Sequence, residues 1–345
     1  MDDRIDLAGM TLEETQSFFK GLGQQNYRAA QILRWIHQGL SVSFEPMTNL
    51  SKDLRKELTT SARIGRLSTL QTVESEDGVK KFLFGLNDGA KIESVYIPSE
   101  DHDTLCVSTQ VGCAMDCKIC RTGQMGLIRN LTTGEIVGQL LEARRQIPGS
   151  VITNVVLMGM GEPLANFDNT VRAIRILSNP NGPQISWRRI TVSTSGLAPK
   201  IFELGQSVRV KLAVSLNAVT DEIRSMIMPV NRKYPLNELI SAMKRFPLPK
   251  RDRITIEYVL IRGLNDSDSD AKMLVKILNP IRAKVNLIPF NDELSTEFRS
   301  PTPKRVAAFQ DILMSKSLMA IIRKSRGRDI LAACGQLASE NRRDF

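Results

Sequence analysis

The chain has 345 residues, 42% of them hydrophobic, which is enough to bury at least one large core and argues for an ordinary globular protein. Its N-terminus lacks the basic-then-apolar order of a secretory signal, and no apolar run is long enough to cross a bilayer, so we predict a cytoplasmic protein without a membrane partner. The formal net charge of +10 favours a polyanionic partner such as nucleic acid, although a solvated basic surface without such a partner is an alternative.

The cysteine and histidine contents narrow the chemistry further. Five cysteines are an odd number for a disulfide scaffold, and in a cytoplasmic protein of this size a cysteine cluster points to metal binding or catalysis. His37 and His102 are the two histidines. This scarcity argues against histidine-based zinc sites and against histidine as a general base.

Residues 1–64 are predicted to form a helical accessory domain. The segment Thr11-Leu12-Glu13-Glu14 has the pattern of a helix N-cap. Further along, Ile32, Leu33 and Ile36 place apolar side chains at helical spacing.

Residues 65–103 are predicted to form a linker and a β-hairpin extension. Two β-rich runs, 81–86 and 91–97, flank Asn87-Asp88-Gly89-Ala90. The Asp-Gly pair supplies the positive φ angles that a tight turn needs, so the two runs are expected to pair as a hairpin.

Short β-rich runs alternate with helical runs from residue 104 to residue 323. The predicted strands are 105–109, 154–158, 189–193, 208–215, 253–261 and 284–289, with a seventh at 319–323. The predicted helices include 136–145, 171–177, 236–245, 270–278 and 304–314. This order predicts an α/β fold with a parallel sheet covered by helices, and six or seven units favour a barrel or incomplete barrel over an open doubly wound sheet. In such folds the chemistry gathers at the C-terminal ends of the strands.

The most specific motif is Cys113-Ala114-Met115-Asp116-Cys117-Lys118-Ile119-Cys120, just after the first of these strands. Three closely spaced thiolates can hold three irons of a cubane cluster, whereas structural zinc normally has four ligands. The fourth iron is then open to a small molecule, which can receive an electron there. A zinc knuckle completed by a distant residue and a ferredoxin-like cluster with a fourth cysteine are alternatives. Neither Cys106 nor Cys334 has the conventional spacing for them.

The cysteine spacing resembles that of the radical S-adenosylmethionine (SAM) superfamily, in which the three-cysteine loop follows the first strand of a partial (β/α)6 barrel. Further motifs narrow the resemblance to the adenine carbon-2 RNA methyltransferases of the RlmN type. These motifs are 120–126, 129–132, 159–164, 193–196, 228–231 and 332–337. The resemblance covers nearly the whole chain, including the helical N-terminal domain, and it implies that residues 324–345 form a C-terminal loop with a catalytic cysteine.

Three catalytic residues follow from the resemblance. Cys334 would be methylated by one SAM molecule, and a radical made from a second would remove hydrogen from that methyl group, so two molecules serve each turnover. Glu93 matches the family's proton acceptor, and Cys106 matches the thiol that attacks the Cys334 sulfur and releases the product through a disulfide. From the residues alone, Cys106 could equally be a buried apolar side chain and Glu93 a solvated strand carboxylate.

The resemblance also implies the cofactor sites. Cys113, Cys117 and Cys120 would hold a [4Fe-4S] cluster. Gly161 allows close backbone approach, and Glu162 can pair with the amino group of SAM. The remaining SAM contacts are predicted at or just past later strand ends, at Ser193, Ser215, Leu216, Asn217 and Asn291. Histidine is common in the family where this chain has Asn217, but asparagine can still donate or accept a hydrogen bond.

By resemblance, the substrates are the adenosine at position 2503 of 23S ribosomal RNA and the adenosine at position 37 of certain transfer RNAs. Basic and aromatic side chains that could meet RNA lie in 26–28, 34–35, 188–189 and 323–328. We also expect a low-potential electron donor such as flavodoxin, and a monomeric chain. Three alternatives remain: carbon-8 methylation of the same ribosomal adenosine, as in the antibiotic-resistance relatives; a non-catalytic iron–sulfur or zinc protein that binds RNA; and a radical enzyme acting on a small molecule or peptide.

Overall fold

The helices of the protein are known from a computed structural model that describes residues 4–149, 151–292 and 297–338. They are α1 (Leu12–Gly21), α2 (Tyr27–His37), α3 (Lys52–Ser61), α4 (Arg121–Gln124), α5 (Thr133–Gln146), α6 (Phe167–Ser178), α7 (Ala198–Ser207), α8 (Asp221–Ile227), α9 (Leu236–Arg245), α10 (Asp268–Leu278) and α11 (Pro303–Ser315). Short 3-10 helices lie at Leu7–Gly9, Trp187–Arg189 and Pro229–Arg232. None of the described helices has both the length and the apolar character needed to cross a membrane.

Strands occur in both parts of the chain, and in the second part they alternate with these helices. They are β1 (Ile5–Asp6), β2 (Ala62–Arg63), β3 (Ser68–Glu74), β4 (Lys80–Gly85), β5 (Lys91–Ile97), β6 (Asp103–Cys106), β7 (Gln110–Cys113), β8 (Gly126–Asn130), β9 (Ile152–Leu157), β10 (Ile190–Thr194), β11 (Lys211–Ser215), β12 (Ile254–Leu260), β13 (Ala283–Pro289) and β14 (Ala320–Ile322). Residues 1–3 of the predicted accessory domain and 339–345 of the predicted C-terminal loop lie outside the described residues.

Ten strands form one mixed sheet, in the order β14-β13-β12-β11-β10-β9-β6-β5-β4-β3. Neighbouring strands are parallel from β6 to β14 and antiparallel from β6 to β3. The edge strands are β14 and β3, so within the described ranges the sheet does not close on itself. The predicted α/β fold is therefore confirmed, and the seventh parallel strand is present as β14.

The N-terminal domain forms as its local signals predict. A capping box starts α1, since Thr11 N–H donates to the Glu14 carboxylate (2.8 Å) and Glu14 N–H donates to Thr11 Oγ1 (3.3 Å). The apolar stripe of α2 is buried in the core. An ion pair between Glu14 and Arg172 of α6 (2.9 Å) joins this domain to the helices outside the sheet.

The predicted β-hairpin is also present, as β4 and β5. Its turn needs a glycine, because Gly89 has a φ of 84°. Leu86 N–H donates to the Ala90 carbonyl (2.8 Å) and closes the hairpin. Strand β3 adds a third antiparallel strand, and β5 pairs with β6, so the hairpin continues the main sheet.

One predicted strand ends earlier than expected. The strand predicted at 105–109 is observed as β6, which ends at Cys106. The chain leaves the strand because Ser108 takes other partners: its N–H donates to Gln139 Oε1 (2.7 Å), and its hydroxyl donates to the Glu93 carbonyl (2.6 Å). Cys106 consequently lies at the C-terminal end of a parallel strand, where functional residues of such folds gather.

The sheet separates a helix-covered face from an inner face. In β12, Tyr258 is buried and stacks on Phe309 of α11, with ring centroids 5.6 Å apart. The residues on either side of it, Glu257 and Val259, line a cavity instead. Successive side chains of a strand point to opposite faces, so this alternation turns every second residue toward the cavity.

Candidate active site

The cysteine motif forms a loop between two paired strands. Cys113 is the last residue of β7, and the chain returns through α4 to the antiparallel strand β8. A Cβ on Gly112 would lie 1.9 Å from the Gly126 carbonyl oxygen, so this close approach requires glycine. Lys118 N–H donates to the Ile227 carbonyl of α8 (2.9 Å) and fixes the middle of the loop.

Cys113, Cys117 and Cys120 line one cavity, which encloses about 1100 Å³ including its open mouth. Burial raises the pKa of Cys113 to about 12, and Glu162 and Cys120 add to the rise. Burial also raises the pKa of Cys117, to which Cys120 and Cys113 contribute. The three thiols are therefore electrostatic neighbours. A bound cation would favour their thiolate forms.

The residues fit an iron–sulfur cluster better than a single metal ion. Across the described ranges, no three His, Cys, Asp or Glu side chains are grouped closely enough to hold one ion. In a cubane cluster each cysteine binds a different iron, so its thiols are spaced more widely than the ligands of one zinc ion. Three thiols around one cavity match that requirement.

The loop that carries Cys334 docks on the cysteine loop. Arg121 N–H donates to the Gly335 carbonyl (2.8 Å), and Thr122 Oγ1 donates to the Leu337 carbonyl (2.6 Å). Cys334 is exposed and lines the same cavity as the cysteine motif. The protein atoms around its sulfur, together with Glu257 and Cys120, raise the pKa of the Cys334 thiol.

Cys106 and Cys334 come together despite their separation in the sequence. Burial raises the pKa of Cys106 to about 12, and the second cause is the nearby Cys334 thiol. Both are free thiols in this structure. Cys106 does not line the cavity itself, but its sulfur has a hydrogen bond with the backbone of Met158, which does.

Glu93 is buried, which rules out a solvated carboxylate at this position of the hairpin. Its Oε1 lies 3.2 Å from Lys81 Nζ, and its Oε2 accepts a hydrogen bond from Ala338 N–H (2.8 Å). Lys81 also donates to the Leu331 carbonyl (3.3 Å). Glu93 thus contacts the loop that carries Cys334, while its catalytic role stays a prediction.

Glu162 presents a buried carboxylate to the cavity. Its Oε1 accepts from Leu164 N–H (3.0 Å) and its Oε2 from Ser195 N–H (2.7 Å). Burial raises the pKa of Glu162, and these hydrogen bonds oppose the rise. The two amide groups orient the carboxylate, which could then receive an ammonium group.

Most of the other predicted SAM contacts lie around the same cavity. Its lining includes Gly161, Ser193, Ser215, Asn217 and Asn291. Asn217 has a φ of 59°, and its Oδ1 accepts from Val259 N–H (2.9 Å). Leu216 is placed differently: its side chain is fully buried in the core, and its carbonyl accepts from Arg224 Nε (3.0 Å).

Comparison with known proteins places these features in a family. Residues 5–64 match the model of the ribosomal RNA large subunit methyltransferase N-terminal domain, and residues 107–274 match that of the radical SAM superfamily. The chain is 54% identical to the dual-specificity RNA methyltransferase RlmN of Syntrophotalea carbinolica, over 97% of this chain and 90% of the relative. The chain belongs to the RlmN family. The RlmN of Geobacter sulfurreducens is 53% identical, over 98% of this chain and 93% of its own length.

The solved structure of a radical SAM methyltransferase supports the fold. The crystal structure of a radical SAM methyltransferase from Sphaerobacter thermophilus matches with a TM-score of 0.90 and 44% identity, over 96% of this chain and 99% of that one. The radical SAM fold of this RlmN-family chain is thereby confirmed, and the family implies a [4Fe-4S] cluster and SAM as cofactors.

Gly161→Ala is expected to weaken SAM binding about tenfold or more. Gly161 has a φ of 97°, and an added Cβ would lie 2.5 Å from the Gln110 Cβ, so the backbone must shift and carry Glu162 with it. Equilibrium dialysis with reconstituted protein measures the dissociation constant. Gly23→Ala is the matched control, because Gly23 also has a positive φ (69°) but has open space around its Cβ. Equal affinities of the two variants would contradict this role of Gly161.

Sequence reasoning missed Arg224, which organises two strand ends beside the cysteine loop. Its side chain is fully buried, and burial lowers the pKa of Arg224 to about 10. The guanidinium donates to four oxygens at 2.6–3.1 Å: Ser195 O, Ser215 O, Leu216 O and Asn231 Oδ1. Nothing in its local sequence distinguishes it from a surface arginine of a helix.

Arg224→Met is expected to lower the free energy of unfolding by roughly 3 kcal/mol, because it leaves buried carbonyl groups without donors. Urea unfolding of the cluster-free protein measures the change. The control is Arg232→Met at an exposed position, for which a change within about 0.5 kcal/mol is expected. Similar stability losses in both variants would show that the Arg224 hydrogen bonds are not important.

Proposed function

We propose that this chain methylates carbon 2 of adenosine in RNA, at position 2503 of 23S ribosomal RNA and at position 37 of certain transfer RNAs. The observation that carries the proposal is that Cys334 lines the same cavity as the cysteine motif and Glu162, with Cys106 beside it. The dual-specificity name of the relatives supports two RNA substrates.

The chemistry explains the need for such a cavity. Carbon 2 of adenine lies between two ring nitrogens and is electron-poor, so it is a poor nucleophile toward a methyl sulfonium. When bound, the [4Fe-4S] cluster supplies the electron that cleaves SAM and yields a 5′-deoxyadenosyl radical. Cys113, Cys117 and Cys120 would hold the cluster. Glu162 would accept hydrogen bonds from the SAM amino group and thereby orient the molecule.

Cys334 carries the methyl group in this proposal. Its sulfur takes the methyl group of one SAM, and the S-methyl group then loses a hydrogen atom to a radical made from a second. The resulting carbon radical adds to carbon 2. The adduct then loses the carbon-2 proton to Glu93 and one electron, which the oxidised cluster would take back. Cys106 attacks the Cys334 sulfur, so that a disulfide forms, and the methylene group released on carbon 2 takes up a proton to give the methylated base. The electrostatic contribution of Cys334 to the raised pKa of Cys106 supports this last step.

The RNA is proposed to meet basic side chains outside the cavity. Arg188 and Arg209 stack on Trp187, with guanidinium carbons 4.6 and 4.3 Å from the ring centroid. Stacking orients their planar donors toward phosphates. Arg34 of α2 instead donates to Asn181 Oδ1 (2.9 Å), and this bond links the N-terminal domain to the segment that follows α6. We further propose a monomer that receives electrons from a low-potential donor such as flavodoxin.

The test is product mapping. Reconstituted protein is incubated anaerobically with SAM, a reductant and either a 23S RNA fragment or transfer RNA, and the nucleosides are analysed by mass spectrometry. 2-Methyladenosine in both RNAs would support the proposal, and 8-methyladenosine would support the sister activity instead. SAM cleavage with neither RNA modified would refute the RNA assignment and leave a radical enzyme acting on another substrate.

A further inference from the structure

The cavity holds a second carboxylate that the activity above does not use. Glu257 lies on the inward face of β12, beside Ser215 of β11 in the strand register. Asn286 of β13 donates to its Oε1 (2.9 Å). Its Oε2 has no hydrogen-bond partner among the described residues, whereas both oxygens of Glu162 accept backbone N–H groups.

Glu257 and Cys334 line the same cavity. The carboxyl group contributes to the raised pKa of the Cys334 thiol, so the two groups interact electrostatically. The cations that oppose the raised pKa of Glu257 are Arg323 and Lys284. Neither cation lines the cavity, and no lysine, arginine or histidine does so in the described ranges. Among the described residues, Glu162 and Glu257 are the two carboxyl groups that line the cavity. Both oxygens of Glu162 already accept backbone N–H groups, so Glu257 has the oxygen that is open to a bound base.

We propose that Glu257 binds the target adenine: its Oε2–H donates a hydrogen bond to one of the two ring nitrogens that flank carbon 2, and Asn286 holds the carboxyl group in place. This inference rests on the proposed function and names the group that recognises the base. Burial raises the pKa of Glu257, which favours the protonated carboxyl group that such a bond requires. Polar groups that hydrogen-bond to a flipped base are the usual means by which such enzymes select it.

The same bond would assist the reaction. A hydrogen bond to a ring nitrogen withdraws electron density from the adjacent carbon 2, and an electron-rich carbon radical adds more readily to an electron-poor carbon. Preorganised donors aimed at the reacting group typically contribute to the rate as well as to binding. Glu257 would thus act on the adenine, and not on the first methyl transfer to Cys334.

The test combines two Glu257 variants with altered RNA. Glu257→Ala is expected to lower kcat/KM for RNA methylation about 10- to 100-fold, while Cys334 still takes up a methyl group from SAM. Glu257→Gln is expected to stay within about threefold of wild type, because its amide N–H can replace the carboxyl donor. Glu142→Gln is the control: Glu142 is a buried carboxylate of α5, outside the cavity, and no loss is expected.

RNA with 1-deazaadenosine or 3-deazaadenosine at the target identifies the nitrogen. Wild type should methylate one of the two analogue RNAs more slowly than normal RNA. Glu257→Ala should methylate that analogue no more slowly than it methylates normal RNA, because the hydrogen-bond donor is already missing. The inference would be overturned if the losses caused by Glu257→Ala and by the analogue were fully additive. It would also be overturned if Glu257→Ala methylated RNA normally or failed to methylate Cys334. Absence of 2-methyladenosine from the wild-type reaction would refute the proposed function as well.

Discussion

Cys334→Ala is expected to reduce RNA methylation at least about 1000-fold, because no other thiol that lines the cavity is free of the cluster role proposed for Cys113, Cys117 and Cys120. The iron content and the SAM affinity should stay near wild type, since the contacts that dock this loop come from Gly335 and Leu337. Mass spectrometry of the intact protein should show one added methyl group in wild type and none in the variant.

The controls separate a chemical loss from a folding loss. Equal iron content with lost methylation would support methyl transfer through the Cys334 sulfur. Formation of 2-methyladenosine by Cys334→Ala at a rate near wild type would instead show that the methyl group passes to RNA without this residue. Loss of iron in the variant would mean that docking of the C-terminal loop is needed to hold the cysteine loop.

Cys106→Ala is expected to stop turnover, also by about 1000-fold or more, but at a later step. Cys334 should still be methylated, and the carbon radical should still add to adenine, because Cys106 does not line the cavity. Without the attacking thiol, the RNA should remain bound through carbon to the Cys334 sulfur. A denaturing gel should then show a covalent protein–RNA conjugate.

The double variant Cys106→Ala/Cys334→Ala is the matched control, and no conjugate is expected from it. Undiminished turnover by Cys106→Ala would show that release does not need an internal disulfide.

Several features could be predicted from the sequence because the signals for them are local. The capping box at Thr11 and the Asp-Gly turn at Gly89 depend on residues a few positions apart, and both form as predicted. The cysteine motif is equally local, and its spacing indicated the radical SAM superfamily that the comparisons confirm. Repeated strand-helix order was sufficient for the fold class.

The tertiary structure decided which distant residues share the site. Packing of the sheet and of the C-terminal loop brings segments far apart in the sequence together, so Cys334 interacts electrostatically with Cys106 and Glu93 accepts a hydrogen bond from the C-terminal loop. No periodicity or spacing contains that information. The same holds for the surroundings of Glu257 and Arg224, which come from burial and from partners on other elements. Local sequence determines helices, turns and the metal motif, whereas long-range packing of the sheet determines which side chains face the cavity.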